Sequence, residues 1–341
     1  MLFIIPVNSF ISSFEVMQKT LVNAILFCAI LLAVLCLLDL TYSKILASRS
    51  LNKVSWIFNK HNENYDFAVL GDSRVLTCID VKAMEHYSQL KGINLGTSGS
   101  RPVENYLVLS RFLKTNKLKM VLLQLDATIG MDIVSPNNDK LPFYGTYAYM
   151  PYIHDSDVFD IISEYTSPIK YLPWAYVPFI RYAEFNNEYN PAGFLKGNDT
   201  SMDEAGYEKL TRKARQCVSP DSLNPTAKVD QKDIDSFTRK NLSWVKKIIA
   251  LCKANNIQLA IFTSPVHRVE FLGPLTANSI SRINELSFQT GIPYWDWSKM
   301  YFNSPDSVFA DSFHTNYWGA DEIARVAADS LLSFRKRILY Q

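Results

Sequence analysis

The alternation of short apolar runs with helical patterns is the feature that most constrains how this chain can fold. Five runs are typical of buried β-strands, and they span residues 67–70, 92–95, 120–125, 257–262 and 292–295. Apolar residues at helical spacing predict helices at 103–112, 235–255, 276–290 and 317–335. Strands that alternate with helices build a parallel sheet with helices on both faces. We therefore predict an α/β fold, a three-layer sandwich around a central parallel sheet.

The composition fits one large domain. The chain has 341 residues, of which 48% are hydrophobic, enough for a substantial core and an insertion. Its net charge of +2 and the lack of a dense Lys/Arg block argue against nucleic acid as a partner. The five cysteines show neither a Cys-x-x-Cys pair nor metal-ligand spacing. We therefore predict no disulfide framework, no metal and no cofactor.

The N-terminal region contains an uncharged apolar stretch from Leu21 to Leu38, which with its flanks reaches the roughly 20 residues that span a bilayer. We predict a tail at 1–19, a transmembrane anchor at 20–40, a connector at 41–64 and a folded domain at 65–335. A cleavable signal peptide usually has a shorter apolar core and ends in a small-residue cleavage site, which this stretch lacks. A buried core helix is the other alternative.

The charges that flank this stretch bear on its orientation in the membrane. Lys19 precedes it, while Lys44, Arg49 and Lys53 follow it. The positive-inside rule would therefore place the C-terminal part of the chain in the cytoplasm. The family resemblance described below implies the opposite placement, outside the cytoplasm.

The α/β alternation breaks between about residues 127 and 233, which we predict to be an insertion. This segment is rich in Tyr, Phe, Pro and Asn, as in 143–147 and 171–174. Rings that stack on sugar faces, together with amides that bond to hydroxyl groups, suit a carbohydrate surface. A packed aromatic subdomain without a ligand explains the same composition equally well. Both interpretations stay open.

Two short motifs point to nucleophilic chemistry. Gly71-Asp72-Ser73 follows the first apolar run, where glycine permits a sharp turn that exposes Ser73 at the carboxyl edge of the sheet. Asp311 and His314 lie three residues apart, a spacing that lets a carboxylate and an imidazole face the same way. A serine becomes a good nucleophile when an imidazole takes its proton and a carboxylate orients that imidazole. Taken alone, the first motif is also explained by an ordinary turn, and the second by Asp311 acting as a helix cap.

With these motifs the chain resembles the SGNH, or GDSL-like, hydrolase superfamily over residues 65–335, apart from the insertion. Three blocks carry the resemblance: Gly71-Asp72-Ser73, Asn94 to Gly99, and Asp311-x-x-His314. The resemblance implies a flavodoxin-like sandwich in which Ser73 is the nucleophile, His314 the base and Asp311 its partner. It also implies an oxyanion hole formed by the backbone N–H groups of Ser73 and Gly99.

One block departs from the family pattern. Asp126-Ala127-Thr128-Ile129 stands where the family has Gly-x-Asn-Asp, so the amide donor is missing. Thr128 falls at the position of that asparagine, and its hydroxyl can donate to the oxyanion instead. Loss of one such donor typically costs about 10² to 10³ in rate, which weakens a simple esterase interpretation.

Membrane-anchored SGNH-like proteins with a degenerate third block resemble those of alginate acetylation and teichoic-acid D-alanylation. The resemblance implies a single-pass, extracytoplasmic O-acyltransferase of an envelope or exported polysaccharide, working through an acyl-Ser73 intermediate. Its implied partners are the glycan acceptor, the bilayer and a multi-span membrane-bound O-acyltransferase. A carbohydrate esterase of the same fold is the first alternative. A non-catalytic glycan-binding subunit with a vestigial triad is the second.

Six further residues are candidates for substrate binding: Asp72, Arg74, Asn94, Arg101, His267 and Asn316. A guanidinium at Arg74 or Arg101 can hold an anionic sugar or phosphate, although a surface salt bridge explains either residue too. His267 follows the fourth strand, on the same sheet edge as Ser73, and an exposed loop histidine is its alternative. Asn94 and Asn316 are candidates for the missing amide donor.

Overall fold

The computed structural model describes residues 7–48, 52–131, 145–185, 202–212, 231–267, 274–303 and 306–339. Five parallel strands form its central sheet in the order β2-β1-β3-β4-β5. They are β1 (Asn64–Leu70), β2 (Gly92–Asn94), β3 (Lys117–Gln124), β4 (Gln258–Thr263) and β5 (Tyr294–Asp296). This is the strand order of flavodoxin-like folds, in which ligands bind where the order reverses, between β1 and β3.

β1 lies inside the sheet, between β2 and β3. Val69 of β1 aligns with Asn94 of β2 on one side and with Leu122 of β3 on the other. Ala68, Val69 and Leu70 are all fully buried, so both faces of β1 are covered. A parallel sheet that is covered on both faces requires such continuous apolar runs. The predicted α/β sandwich with a central parallel sheet is therefore confirmed.

Helices cover both faces of the sheet, and most of the N-terminal helix lies outside the folded domain. In the described part of the chain they are α1 (Val7–Ser48), α2 (Lys53–Phe58), α3 (Ser73–Cys78), α4 (Val81–Ser88), α5 (Pro102–Leu113), α6 (Thr146–Tyr149), α7 (Ser156–Tyr165), α8 (Pro168–Tyr176), α9 (Ile180–Glu184), α10 (Gln231–Ala254), α11 (Pro274–Thr290) and α12 (Tyr317–Leu339). Short 3₁₀ turns lie at Ala127–Gly130, Met150–Tyr152 and Asp306–Val308.

Among the described residues, two hydrophobic clusters, one on each face of the sheet, form the core. Successive residues of β1 point to opposite faces, so Ala68 joins one cluster and Val69 the other. On the first face α5 packs against α10, with Val108 of α5 in the cluster. On the second face α4 packs against α12, with Met84 of α4 in the cluster. The sheet is thus the middle layer of three.

α3 and α4 are helices that no sequence pattern predicted. α3 has six residues and α4 has eight, too few for apolar periodicity to be recognised. Both begin at an aspartate whose side chain accepts a backbone N–H: Asp72 from Arg74 at 2.8 Å and Asp80 from Ala83 at 3.0 Å. Aspartate is a preferred N-cap residue, so these caps are the sequence signal that marks both helices.

α1 is an N-terminal helix that is long and apolar enough to span a membrane. Within its segment Val16–Ser48, an 18-residue window has a mean hydropathy of 3.0, and none of that window is buried. A helix in the core of a soluble domain would bury this apolar surface. Its exposure therefore favours a membrane-spanning helix over a buried core helix.

The last turns of α1 pack against the folded domain. Leu46 is buried, and its carbonyl oxygen accepts a hydrogen bond from Ser55 Oγ of α2 at 3.0 Å. All six residues of α2 are buried as well. The stretch 41–64, in which the sequence predicts a connector, thus contributes side chains to the domain core.

The described part of the segment 127–233 is mostly helical, and several of its aromatic rings point inward. Trp174 and Tyr149 are fully buried. Their burial favours a packed aromatic subdomain over a sugar-binding surface at these two positions. Phe143 and Tyr144, which belong to the other aromatic motif of this segment, lie outside the described residues.

Glu104 is a buried carboxyl group where this subdomain meets α5. Its Oε2 accepts the Arg101 backbone N–H at 3.2 Å, and the Tyr149 hydroxyl donates to its Oε1 at 3.5 Å. Burial raises the pKa of Glu104 from its ordinary value of 4.5 to about 8. In the unfolded chain Glu104 ionises near the ordinary value. Its burial therefore costs the folded state progressively more stability as the pH rises from 4.5 to about 8.

We expect Glu104→Gln to stabilise the protein by about 1–3 kcal/mol near pH 8 and to have little effect near pH 4.5. The amide removes the cost of ionisation but keeps an oxygen that accepts the Arg101 N–H. Thermal unfolding of the full chain at both pH values measures the difference, with the exposed Glu164→Gln as control. A gain of equal size at both pH values would contradict the raised pKa.

Candidate active site

The loop that follows β1 presents Ser73 at the carboxyl edge of the sheet. Gly71 begins the turn, and a Cβ there would lie 2.3 Å from Gln124 Oε1, so a larger residue would not fit. Asp72 caps α3, and Ser73 is the first residue of that helix. Because β2 and β3 flank β1 on opposite sides, Ser73 lies where the strand order reverses. The topology therefore puts this hydroxyl where flavodoxin-like folds bind their ligands.

Ser73, His314 and Asp311 form one hydrogen-bonded chain. The Ser73 hydroxyl donates to His314 Nε2 at 2.9 Å, and His314 Nδ1–H donates to Asp311 Oδ1, also at 2.9 Å. A neutral imidazole with its proton on Nδ1 satisfies both bonds. Ser73 and His314 are 241 residues apart in the sequence, so the fold alone brings them together. An unprotonated Nε2 beside a hydroxyl is the arrangement that a general base requires.

Asp311 is held in place by its own loop. Its Oδ1 also accepts the backbone N–H groups of Phe313 at 3.0 Å and of His314 at 2.9 Å. Across this loop Phe309 pairs with Thr315 in an antiparallel bridge. Partial burial opposes ionisation, but the hydrogen bonds from His314 and from these N–H groups outweigh it and hold the pKa of Asp311 below its ordinary value. The carboxylate is therefore ionised at neutral pH and can stabilise a charged imidazole.

Arg212 holds the other oxygen of Asp311. Its Nη2 lies 2.7 Å from Asp311 Oδ2, and the arginine side chain is 65% exposed. No sequence pattern marks this residue, because it lies outside any helix or strand and 99 residues before its partner. Arg212 is thus a candidate positioning residue that only the fold reveals.

Beneath the Ser73 loop lies a buried ion-pair network. Arg74 Nη2 lies 2.5 Å from Asp126 Oδ2 and 3.4 Å from Asp72 Oδ2, and none of the three side chains is more than 8% exposed. Gln124 joins the network to the loop, because its Oε1 accepts the Asp72 backbone N–H at 3.0 Å and its Nε2 donates to Asp126. Burial alone would lower the pKa of Arg74, but Asp126 and Asp72 raise it above the ordinary value. Arg74 therefore stays charged and ties the end of β3 to this loop.

Asn94 and Asn316 are fully buried and bond to the backbone. Asn94 Nδ2 donates to the carbonyl oxygens of Val75 at 2.7 Å and Ile79 at 3.1 Å, which ties the end of β2 to α3. Asn316 Oδ1 accepts the Trp318 backbone N–H at 3.2 Å at the start of α12. Both amides, like the ion-pair network, thus serve contacts within the fold.

The loop that follows β2 lies against the nucleophile loop. The Thr97 backbone N–H and the Ser100 hydroxyl both donate to the Gly71 carbonyl, at 3.1 and 2.8 Å. Gly99 has a φ of +70°, a conformation that favours glycine. Its carbonyl accepts Arg101 Nη1 at 3.3 Å. Gly99 therefore belongs to a loop that is anchored directly on the turn before the serine.

Thr128 follows β3 in the 3₁₀ turn Ala127–Gly130, at the same edge of the sheet. Its backbone N–H donates to Asp126 Oδ1 at 2.8 Å, which ties this turn to the buried network. Its half-buried side chain also hydrogen-bonds the Asp126 carboxylate, so in this structure the hydroxyl predicted to serve the oxyanion hole is engaged within the network. The loops after β2, β1 and β3 thus lie side by side at the carboxyl edge.

His267 follows β4 and is buried rather than exposed. Its Nε2 lies 3.0 Å from Asp306 Oδ1, and its ring centroid lies 5.2 Å from that of Phe309. Its backbone N–H donates to the Ser312 carbonyl at 3.3 Å. His267 therefore supports the loop that carries Asp311 and His314.

The hydrogen-bonded serine, histidine and aspartate define the chemistry available at this edge. A hydroxyl that passes its proton to an imidazole can attack a carbonyl carbon, while the carboxylate stabilises the imidazolium that results. Within the residues that the structure describes, no group of three or more His, Cys, Asp or Glu side chains is placed to hold a metal ion.

No protein-family model matches the chain, and no curated protein matches its sequence. One solved structure that matches is that of a "putative acylhydrolase" from Bacteroides fragilis, with 9% sequence identity. The match covers 81% of this chain and 89% of that one, with a TM-score of 0.35. At this TM-score the likeness supports no conclusion about the activity of this chain.

Proposed function

We propose that this protein is a membrane-anchored serine O-acyltransferase that modifies a cell-envelope or exported polysaccharide through an acyl-serine intermediate. The observation that carries the proposal is the hydrogen-bonded chain from Ser73 through His314 to Asp311 at the carboxyl edge of the sheet. The exposed apolar helix α1 supports the membrane anchor. The sequence resemblance to the SGNH hydrolases supports the roles given to these residues.

The first half-reaction moves the acyl group from its donor to the protein. Ser73 Oγ attacks the acyl carbonyl carbon while His314 Nε2 takes the hydroxyl proton, and Asp311 stabilises the imidazolium. The N–H groups of Ser73 and Gly99 donate to the carbonyl oxygen as it becomes negatively charged. The Thr128 hydroxyl joins them in this proposal by turning away from Asp126. His314 then gives its proton to the leaving group, and an ester on Ser73 remains.

The second half-reaction moves the acyl group to the acceptor. A sugar hydroxyl attacks the ester carbonyl and passes its proton to His314 Nε2. The Ser73 oxygen then leaves and takes that proton back. Water in place of the sugar would give hydrolysis by the same steps. The side chains of His314 and Asp311 are 23% and 34% exposed, so both residues are accessible from solvent.

The proposal places the folded domain outside the cytoplasm, where envelope and exported polysaccharides are found. α1 would hold the active site close to the membrane, within reach of a multi-span O-acyltransferase that supplies the acyl group. The charges that flank the uncharged stretch 21–38 favour the opposite orientation, so the proposal depends on membrane insertion that overrides the positive-inside rule.

The fate of a labelled acetyl group tests the proposed function. The full chain in detergent is incubated with an isotopically labelled p-nitrophenyl acetate, with and without deacetylated polysaccharide. We expect label on the sugar oxygens with the wild type and none with Ser73→Ala. Release of acetate that is unaffected by the polysaccharide would make the protein an esterase. Glycan binding without either reaction, unchanged in Ser73→Ala, would make it a binding subunit.

We expect Arg212→Ala to lower kcat/KM for acyl transfer by about 3- to 10-fold. The loss is modest because the ion pair is exposed and Asp311 keeps two backbone N–H donors. Arg212→Lys should recover part of the rate through its charge. Arg239→Ala, which removes an exposed arginine of α10, should leave the rate unchanged. If Arg212→Ala also leaves the rate unchanged, the Arg212–Asp311 ion pair does not help to orient Asp311 and His314.

A further inference from the structure

The segment formed by α8 and the start of α9 carries an unusual concentration of exposed apolar side chains. They are Ile169, Leu172, Tyr176, Val177 and Ile180. In the described part of the chain, these five are half of the large apolar residues that are exposed outside α1. A concentration of exposed apolar side chains of this kind is typical of an interaction site.

Helical spacing puts this surface on one side of α8. Ile169, Leu172 and Tyr176 follow one another at intervals of three and four residues, which aligns side chains along one face of a helix. The other side carries Trp174 and Ala175, both of which are buried. Every exposed residue from Ile169 onward to the first residue of α9 is apolar. Lys170, the charged residue within this stretch, is partly buried, so the surface is predominantly apolar and suits an apolar environment.

The same segment is fastened to α1 where the apolar stretch of α1 ends. Asp39 directly follows the uncharged run 21–38. Its Oδ2 accepts Arg181 Nη2 at 2.8 Å, and its Oδ1 accepts the Phe179 backbone N–H at 2.8 Å. The Tyr42 ring lies 5.1 Å from that of Phe179. A charged residue at the end of a membrane span lies at the boundary between hydrocarbon and water.

We propose that the apolar face of α8 and the start of α9 lies in the interfacial layer of the bilayer that α1 spans. The occupant of this face is phospholipid. An interfacial helix inserts its apolar side about 5–10 Å into the boundary between headgroups and acyl chains, and tyrosine is enriched at that depth. Because Asp39 joins the segment to the end of the span, both elements meet the same membrane.

This second contact fixes how the domain sits on the membrane. A single helix would let the domain rotate and tilt around the axis of α1. The Arg181 side chain at the joint is only 2% exposed, and its Nη1 also donates to the Trp174 carbonyl of α8 at 2.9 Å, so the joint is packed and linked to α8. The domain is therefore held at one height and one orientation. The inference depends on α1 spanning the membrane, as in the proposed function, and not on the chemistry of Ser73.

Depth-dependent quenching in vesicles tests this inference on the full chain. Cys28, Cys36 and Cys217 are replaced by serine, which leaves the buried Cys78 and Cys252 in place. A cysteine introduced by Tyr176→Cys, or separately by Ile169→Cys, is labelled with an environment-sensitive fluorophore. The protein is reconstituted into phosphatidylcholine vesicles that contain lipid with a nitroxide either near the headgroup or deep in the acyl chain.

Two reference positions define the scale of the quenching experiment. Phe288→Cys replaces an apolar residue of α11 that is 90% exposed, and its label should stay in water. A variant that keeps Cys28 as its labelling site reports on the span itself. The label at 176 or 169 should lose roughly half of its fluorescence with the shallow nitroxide and less with the deep one. The label at 288 should be unquenched, and that at Cys28 should be quenched most by the deep nitroxide.

The outcomes separate the interfacial contact from the anchor. Labels at 176 and 169 that behave like the label at 288, while Cys28 is quenched, would overturn the inference and leave the anchor intact. An unquenched Cys28 would overturn both, because α1 would then not span the bilayer. Crosslinking of position 176 to another protein in native membranes, without quenching by lipid, would assign this face to a protein partner and overturn the inference as well.

Discussion

Ser73→Ala is expected to lower kcat/KM for acyl transfer by at least about 10⁴-fold. The substitution removes the oxygen that forms the acyl ester, so the double displacement cannot begin. His314→Ala should cost about as much, because the Ser73 hydroxyl then keeps its proton. The double variant should be no slower than either single variant, since the hydrogen-bonded residues act as one unit.

Initial rates with an activated acyl ester and a glycan acceptor measure these losses. Ser243→Ala and His86→Ala remove the same types of side chain from exposed positions on other helices, and should react like the wild type. Losses that multiply in the double variant would contradict a shared reaction path. A loss of less than about tenfold in Ser73→Ala would contradict its role as nucleophile.

The buried ion pairs of Arg74 should have a large effect on the stability of the fold. Arg74→Met should destabilise the protein by about 3–5 kcal/mol, because Asp126 and Asp72 would keep their burial but lose their cation. Methionine keeps much of the length of the side chain, so the loss reflects charge more than volume. Asp126→Asn in the Arg74→Met background should recover part of this stability, since it removes the carboxylate closest to the missing guanidinium.

Denaturant unfolding of the full chain in detergent measures these differences. Arg335→Met, at an exposed position of α12, is the matched control and should change stability by less than about 0.5 kcal/mol. If Arg74→Met is as mild as this control, the network does not hold the nucleophile loop. If Asp126→Asn makes the Arg74→Met variant still less stable, that result too would contradict a network held together by the charge of Arg74.

The strands are the part of the fold that the sequence predicts best. Each predicted run overlaps its strand, as 67–70 overlaps β1 at Asn64–Leu70. Buried parallel strands are continuous apolar runs, which makes them visible without any tertiary information. The polar start of β1 escaped prediction because Asn64 joins the sheet through its pairing with Lys117 of β3, a partner far away in sequence.

The candidate site was predictable only in part. Sequence order and strand context point to Ser73, Asp311 and His314 as neighbours, and their catalytic roles stay predictions. Arg212 could not be predicted, because its contact with Asp311 spans 99 residues. From the sequence, Arg74 is a candidate for substrate binding or for a surface salt bridge, whereas in the fold it is buried. The burial of a charged residue can be predicted only when its partners are known. The partners of Arg74 are Asp72 and Asp126, which lie on two different loops.

Intact-mass measurement of the full chain after exposure to an activated acetyl ester tests the central claim most directly. We expect that the wild-type protein gains one acetyl group, that peptide mapping places it on Ser73, and that Ser73→Ala gains none. No gain in the wild type, with no labelling of Ser73 by a fluorosulfonyl reagent, would contradict an acyl-serine intermediate. The hydrogen-bonded triad would then have to be explained without nucleophilic catalysis.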